Sequence, residues 1–403
     1  MEPGCNTVLR TYRINGEEID SLELKILLIT KGINIPSDEV YEKFSNTHRL
    51  SSFIDQGACN CLLLPDNTVV HIWNAGPRSP FTIGIAEGGN VCLTYDGCFV
   101  TEVDFPPKTQ FYEQYTSKGI PFSMFAVLQG LDILSFPYLW PCEYARSGFS
   151  CQFCYTGAYT EELACEGKSE LFFPTPQDVA EVVNYAVNTE KLASYIQITG
   201  GSTMAPRAEC HLVADMLRAI DDLAGLDNIS GEVLVYMSPP PDPTIVDEVF
   251  LAGADRVACD MEIWDEKLFK RICPGKARFG GRERQLNALL NIAERHGRNK
   301  ACSAFVIGLE PVESFLSGAE YLASHGIVPL PSIWMPQGRV VLGATEAPGL
   351  SYYRQVRDGL AEIYERHQCE PPGSTGFNVC LCRDTWNNRS EILRRKKCST
   401  EGT

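Results

Sequence analysis

Positive charge is scarce in this chain: 35 Lys and Arg stand against 51 Asp and Glu, a formal charge of −16 over 403 residues. Such a chain repels long polyanions outside a local basic patch, which argues against DNA or RNA as a main ligand. Long apolar runs are missing as well, since Pro, Gly or a charge breaks each one short of a spanning length. The N-terminal Met1-Glu-Pro-Gly-Cys5 has no basic region leading into an apolar core. We therefore expect a soluble, cytoplasmic protein with no membrane partner. No repeat or low-complexity tract stands out, which sets repeat architectures aside. Cysteine, in contrast, is abundant. Seventeen of them, an odd number at irregular spacing, fit a disulfide scaffold poorly and exceed what packing in a cytosolic enzyme requires.

With 44% hydrophobic residues the chain can bury a sizeable core. Residues 1–125 read as a small α+β accessory domain. A helix is expected from Ser37 to Phe44, capped by Ser37, with strands at Asn60 to Leu64 and Thr68 to Trp73, then at Asn90 to Tyr95 and Cys98 to Glu102, making two hairpins. Residues 126–350 alternate strands with helices. The strands are Leu134 to Leu139, Ser194 to Thr199, Glu232 to Tyr236, Arg256 to Cys259, Cys302 to Ile307 and Ile327 to Ile333. Helical stretches fall at Thr175 to Asn188, Ala208 to Leu223, Pro243 to Ala252, Arg282 to His296 and Pro311 to His325. This rhythm predicts the α/β class, a partial (β/α)6 TIM-like barrel with an N-terminal α+β domain. Residues 351–403 hold the rest of a helix from Leu350 to His367 and a cysteine-containing tail. Its basic run Arg394-Arg395-Lys396-Lys397 is expected to be solvated and frayed.

The chemistry concentrates after the first barrel strand, in Trp140-Pro141-Cys142 to Cys151-Gln152-Phe153-Cys154-Tyr155. Three thiols in one loop at a strand's carboxyl end can hold three irons of a cubane cluster and leave the fourth open. Tetrahedral zinc is the structural alternative, but no fourth ligand lies nearby in sequence, the closest His residues being His71 and His211. Inert or redox thiols are a further alternative.

This loop resembles the cluster-binding loop of the radical S-adenosylmethionine superfamily. Cys142, Cys151 and Cys154 match the ligands, and Tyr155 matches the aromatic residue beside the last one. The first gap, eight residues here, is longer than in the family's commonest pattern; the second is two. The resemblance implies a [4Fe-4S] cluster and S-adenosyl-L-methionine as cofactors. Thr199-Gly200-Gly201 resembles the segment that takes the amino group of S-adenosylmethionine, and close backbone approach needs glycine there. Ser238 is a candidate for the methionine or ribose portion, against the plainer reading of a Pro-rich turn. Glu262, preferred over Asp260, would serve the nucleoside side; Arg271 or Arg282 would pair with the carboxylate. Ile307, Gly308 and Leu309 would flank adenine, while Trp334 and Gln337 are candidates for a substrate pocket. Cys369, Cys380 and Cys382 form a second group that would suit an auxiliary cluster. Cys165, Cys210, Cys259 and Cys302 read as small packing residues.

The implied activity is reductive cleavage of S-adenosylmethionine, giving a 5′-deoxyadenosyl radical that takes hydrogen from a substrate. A small molecule or cofactor precursor is the expected substrate, and a low-potential electron donor the expected partner. The alternatives are a peptide substrate, methyl transfer, and a non-catalytic cluster or zinc scaffold. Residues 1–125 contain no recognisable cobalamin-binding domain, which argues against methyl transfer through cobalamin.

Overall fold

The computed structural model describes residues 9–37, 39–40, 61–107, 109–139, 142–154, 157, 174–336, 342, 346–373 and 379–401. Tyr155 and Gln337 lie outside them. So do residues 41–44 of the first expected helix, whose start is described: Ser37 Oγ accepts from the Val40 N–H at 3.3 Å.

The chain opens on an antiparallel pair, β1 (Thr11–Ile14) and β2 (Glu17–Asp20), leading into a helix, Ser21–Lys31. Asp20 caps that helix by accepting from Leu22 and Glu23 N–H, while Glu23 accepts from the Asp20 N–H in return. Two small antiparallel sheets follow. One joins β3 (Cys61–Leu63) to β4 (Val69–His71); the other is ordered β5 (Phe81–Ile85), β6 (Val91–Tyr95), β7 (Cys98–Glu102). Both expected hairpins are present. The opening strand pair, the Ser21–Lys31 helix and β5 were not foreseen.

The main sheet has seven strands in sequential order: β8 (Val127–Gln129), β9 (Ile133–Leu139), β10 (Tyr195–Gly200), β11 (Val233–Tyr236), β12 (Arg256–Ala258), β13 (Ala301–Ile307) and β14 (Val328–Ile333). From β9 to β14 every neighbour is parallel; β8 is antiparallel to β9. Helices fill the crossovers, including Pro176–Asn184, Pro206–Ala224, Arg282–His296 and Val312–Ser324. The fold is thus the expected partial barrel: six parallel strands with helices, and an N-terminal α+β region. Strand β9 is buried along its whole length, as a strand covered on both faces must be.

The tail corrects one expectation. Residues Cys382–Glu401 form a helix, and the basic run lies within it rather than fraying. Arg395 donates to Glu391 at 2.6 Å and to Asp20 at 3.4 Å, and Lys396 to Glu362 at 2.7 Å. Just before this helix the chain pairs along the outer edge of β14: Ile333 N–H donates to Val379 O, and Leu381 N–H to Pro331 O. The last strand of the open sheet is thereby covered.

Charged contacts clasp the two ends of the chain together. Lys25, fully buried, donates to Asp384 at 2.6 Å, and Arg357 reaches both Asp20 at 3.0 Å and Glu23 at 3.3 Å. Removing one partner of a buried pair costs about 3–5 kcal/mol. Asp384→Ala, which takes the carboxylate away from a buried ammonium, is expected to lower the urea midpoint by a corresponding amount. Lys25→Met removes the charge itself and should cost less.

Candidate functional site

Chain crossovers in such a sheet bring the carboxyl ends of the parallel strands to one rim. The first contribution is the loop after β9. Cys142 precedes the short helix Glu143–Arg146, and Cys151 and Cys154 close the loop in a turn, with Cys154 N–H donating to Cys151 O. All three thiols are half-buried. Two neighbours shape the loop from below. Gln152 N–H donates to Ile272 O, and Gly275 packs so tightly that a Cβ there would stand 2.4 Å from Phe149 O. Cys273, fully buried in the same apolar cluster as Cys151, hydrogen-bonds to it.

Burial and neighbouring thiols raise all three thiols of the loop. Burial pushes up the Cys142 thiol, and burial together with Cys151 pushes Cys154 up to about 12. Cys151 is raised first by its contact with Cys273 and then by burial, with Lys276 pulling the other way. Three thiols on one loop are the sulfur donors an iron-sulfur group takes, and binding would displace their protons. By donor chemistry alone, three cysteine thiols suit an iron-sulfur group. Among the described residues, no three His, Cys, Asp or Glu side chains converge closely enough to hold a single ion; a cluster of several irons reaches ligands spread more widely.

The second contribution is the end of β10. Its pairing with β9 slips between Thr199 and Gly200, and Gly201 N–H returns to Leu139 O at 2.9 Å. That brings Gly201 onto the cysteine loop, where a Cβ would lie 2.4 Å from Cys142 Cα. At Gly200 a Cβ would lie 2.9 Å from the Tyr138 ring. Glu143 fastens the far side by accepting from Thr203 Oγ1 at 2.9 Å. A cavity opens beside these glycines, lined by Thr199, Gly200, Gly201, Ser238, Asp260 and Lys276. Three of the sequence-derived cradle residues and Ser238 thus share one cavity. Gln285 also lines it, and its Oε1 is buried without a hydrogen-bond partner.

The third contribution comes from β12. Continued extended backbone would send the Asp260 and Glu262 side chains the same way. Instead Glu262 takes φ +62, a conformation unusual outside glycine, before its N–H and C=O rejoin β13 at Ala304 and Val306. The two acidic residues still meet one cation. Lys276 Nζ donates to Glu262 Oε1 at 2.6 Å and to the Asp260 carbonyl at 3.2 Å. Burial, and then the Glu262 carboxyl, raise Asp260 to about 6, with Lys276 opposing.

Lys276 is the cation this segment delivers to the cavity. Arg271 is exposed in the last turn of Glu266–Ile272, and Arg282 lies 4.1 Å over the Trp264 ring; neither lines the cavity. The physical reason is the break at Cys273-Pro274. It ends one short helix and starts another, Pro274–Phe279, which turns Lys276 inward.

At the end of β13, Ile307 is buried and Gly308 has φ +106, with Tyr353 Oη 2.8 Å from where a Cβ would be. Leu309 packs in the apolar cluster with Cys273 and Cys151. Glu310 accepts from the Trp264 and Asp265 N–H groups. Trp334 is buried and outside the cavity. Cys369, Cys380 and Cys382 lie in the apolar core. Cys380 and Cys382 touch at 2.9 Å, and Cys369 instead donates to Ala323 O at 3.8 Å. Residues that sequence reasoning missed are Lys276, Cys273, Tyr138, Glu209 and Gln285. Cys273-Pro274 was a visible signal of the helix start that carries Lys276; Tyr138, Glu209 and Gln285 belong to ordinary-looking apolar or helical stretches.

No family model matches the chain. It is similar to the bacteriochlorophyllide c C-7(1)-hydroxylase of Chlorobaculum limnaeum, 24% identical over 266 residues, which are 62% of this chain and 64% of that protein. The match therefore spans a little under two thirds of that relative. Among solved structures it is similar to methylornithine synthase, with TM-score 0.42, 12% identity and coverage of 67% of this chain and 82% of that one. It is also similar to a radical SAM methyltransferase from Sphaerobacter thermophilus, with TM-score 0.42, 14% identity and coverage of 72% and 76%. Coproporphyrinogen III oxidase from Escherichia coli gives TM-score 0.36, 13% identity and coverage of 59% and 53%. Among the described residues no helix is long and apolar enough to cross a membrane.

Proposed function

We propose that this chain is a radical S-adenosylmethionine enzyme acting on a small molecule or cofactor precursor in the cytoplasm. The observation that carries the reading is the contact between Gly201 and Cys142, which makes the thiol loop and the glycine cradle one continuous surface. A cluster on Cys142, Cys151 and Cys154, beside Tyr155, would then adjoin a ligand held at Thr199, Gly200 and Gly201. The chemistry the pair supplies when bound is reductive cleavage to methionine and a 5′-deoxyadenosyl radical that abstracts hydrogen from substrate. The chain's own residues bind and orient. Backbone carbonyls at the glycines accept from an ammonium, Lys276 offers charge to a carboxylate, and Ser238 and Glu262 offer hydrogen-bonding groups to the ribose side. A low-potential donor would supply the electron. The name of its relative, a bacteriochlorophyllide c C-7(1)-hydroxylase, agrees with a small-molecule substrate.

Cys273 favours a second reading. As a fourth thiol in contact with Cys151, it would complete a fully ligated cluster in a scaffold that does not turn over. The two readings separate in one experiment. After anaerobic reconstitution with iron and sulfide, then reduction with S-adenosylmethionine present, the wild type should form 5′-deoxyadenosine, and Cys151→Ala and Cys154→Ala should not. Cys273→Ala should retain both iron and product. Loss of metal in Cys273→Ala, with no nucleoside from the loaded wild type, would establish the closed site instead.

A further inference from the structure

Positive charge, scarce in the chain as a whole, gathers beside the cysteine loop. Residues 267–282 carry six Lys and Arg and no Asp or Glu, in a chain where fewer than one residue in ten is basic. Two of the six turn inward, Lys276 to Glu262 and Arg282 onto the Trp264 ring. The other four, Lys267, Lys270, Arg271 and Arg278, are exposed. On the helix Glu266–Ile272 the buried side chains are Phe269 and Ile272, while Lys267, Lys270 and Arg271, three and four residues apart, share the outward side. Arg278 lies 5.0 Å over the ring of Phe149 in the cysteine loop, and Arg146, in that loop's short helix, is exposed as well. The joint between this segment and the thiols is short: the N–H of Gln152, between Cys151 and Cys154, donates to Ile272 O at 2.8 Å. Phe149 and Phe153, both half-buried, keep apolar surface on the loop. Glu266, which pairs with Lys270 at 2.6 Å, and Glu283 bound the basic stretch.

We infer that this basic face is the docking surface for the protein that delivers the electron, an acidic carrier with a one-electron centre. The inference rests on the reading of the thiol loop as the cluster site. A chain of charge −16 repels an acidic protein over most of its surface, so such a partner can approach only where the local sign is reversed. That reversal occurs against the loop of three half-buried thiols, the place the electron has to reach. Redox encounters are small, transient contacts steered by charge, and a rim of Lys and Arg beside a little apolar surface suits them. One electron leaves the carrier, which is oxidised, and enters the group on the thiols, which is reduced; no bond is made or broken. The plainer account of Lys270, Arg271, Arg278 and Arg146 is that each complements the C-terminal end of its own short helix. That account has no place for Lys267, the second residue of Glu266–Ile272, where a cation opposes the helix dipole.

The test uses anaerobically reconstituted protein and, as the probe, an acidic flavodoxin in its hydroquinone form, which gives up one electron to become a semiquinone visible by absorbance. Stopped-flow mixing yields the second-order rate constant, and fluorescence anisotropy with labelled, oxidised flavodoxin yields the affinity apart from electron transfer. Raising NaCl from about 50 to 500 mM shortens the screening length about threefold. We expect the wild-type rate constant and affinity each to fall by about tenfold over that range. At the lower salt, the double variant Arg271→Glu with Arg278→Glu should lose about tenfold in both. Arg366→Glu is the control and should lose less than about twofold in either. Arg366 is in the last turn of Leu350–His367, whose His367 O accepts from Arg298 just ahead of β13, at the rim opposite the thiols. Reduced methyl viologen, a small cation, should reduce the double variant at least as fast as the wild type. A loss with both flavodoxin and viologen would make the two arginines props of the loop and overturn the inference. So would flavodoxin rates in the double variant equal to those of the wild type, or wild-type rates that salt leaves unchanged. A wild type that takes up no cluster, or that leaves S-adenosylmethionine intact once reduced, overturns the reading of the site instead; binding of oxidised flavodoxin needs neither and still decides about the face.

Discussion

Gly201→Ala is expected to remove cluster loading and S-adenosylmethionine binding together. The added Cβ would sit 2.4 Å from Cys142 Cα and 2.7 Å from both its N and Cβ, so the obstacle is mainly backbone and no rotamer change relieves it. Either the end of β10 or the start of the cysteine loop must move. Overpacking a tight contact costs about 1–3 kcal/mol, occasionally more, and here the displaced atoms would be those of a cluster ligand. Iron content after reconstitution and equilibrium dialysis with S-adenosylmethionine should both fall at least tenfold. Gly84→Ala is the control: its Cβ would meet nothing within 4 Å, and both readings should match the wild type. Normal iron with normal binding in Gly201→Ala would show that the loop and the cradle are independent.

The other large effect is expected at Lys276. Its ammonium stands between the Glu262 carboxylate and the Asp260 carbonyl, with little of either side chain exposed. Lys276→Met leaves buried acidic groups without that cation, at a cost of about 3–5 kcal/mol. The sign of its pH dependence follows from Asp260. Burial already holds this carboxyl at about 6, above its ordinary value, and loss of the opposing lysine raises it further. A native state that holds a proton more tightly than the unfolded state gains stability as pH falls through that raised value. Urea unfolding of Lys276→Met should therefore recover between pH 7.5 and 5.5, relative to wild type. Adding Glu262→Gln should restore part of the loss, and the double-mutant cycle gives the coupling. A pH-independent deficit would mean that Lys276 acts through packing alone.

Legibility from sequence tracked length and periodicity. The helices Arg282–His296 and Leu350–His367 end where the sequence reading placed them, because each runs for at least four turns between Gly or His boundaries. All six parallel strands were readable as apolar runs. Strand β8 was not: three residues joined to β9 through Gly130 at φ +62 carry no period. The tail helix is polar along most of its length, so composition pointed to a solvated end, while its anchoring depends on Asp20 and Glu362 far away in sequence. Within the site, cysteine spacing and paired glycines were local signals. Lys276 was passed over because two short helices, of seven and six residues, offer no face to read. Glu209 was passed over because its partners, the Ser238 N–H and the Tyr138 hydroxyl, are brought to it by the sheet alone.

The strap along β14 bears on how this chain survives its own synthesis. Residues 379–381 emerge from the ribosome only after the long helix Leu350–His367, so for an interval the nascent sheet ends in an uncovered edge that another chain can join. Pro331 O and Ile333 N–H both point to that edge, and alternation puts the backbone nitrogens of Pro329 and Pro331 there as well. Neither nitrogen carries a hydrogen. The nascent edge is thus short of donors during that interval, so the prolines guard against association between growing chains until the strap arrives.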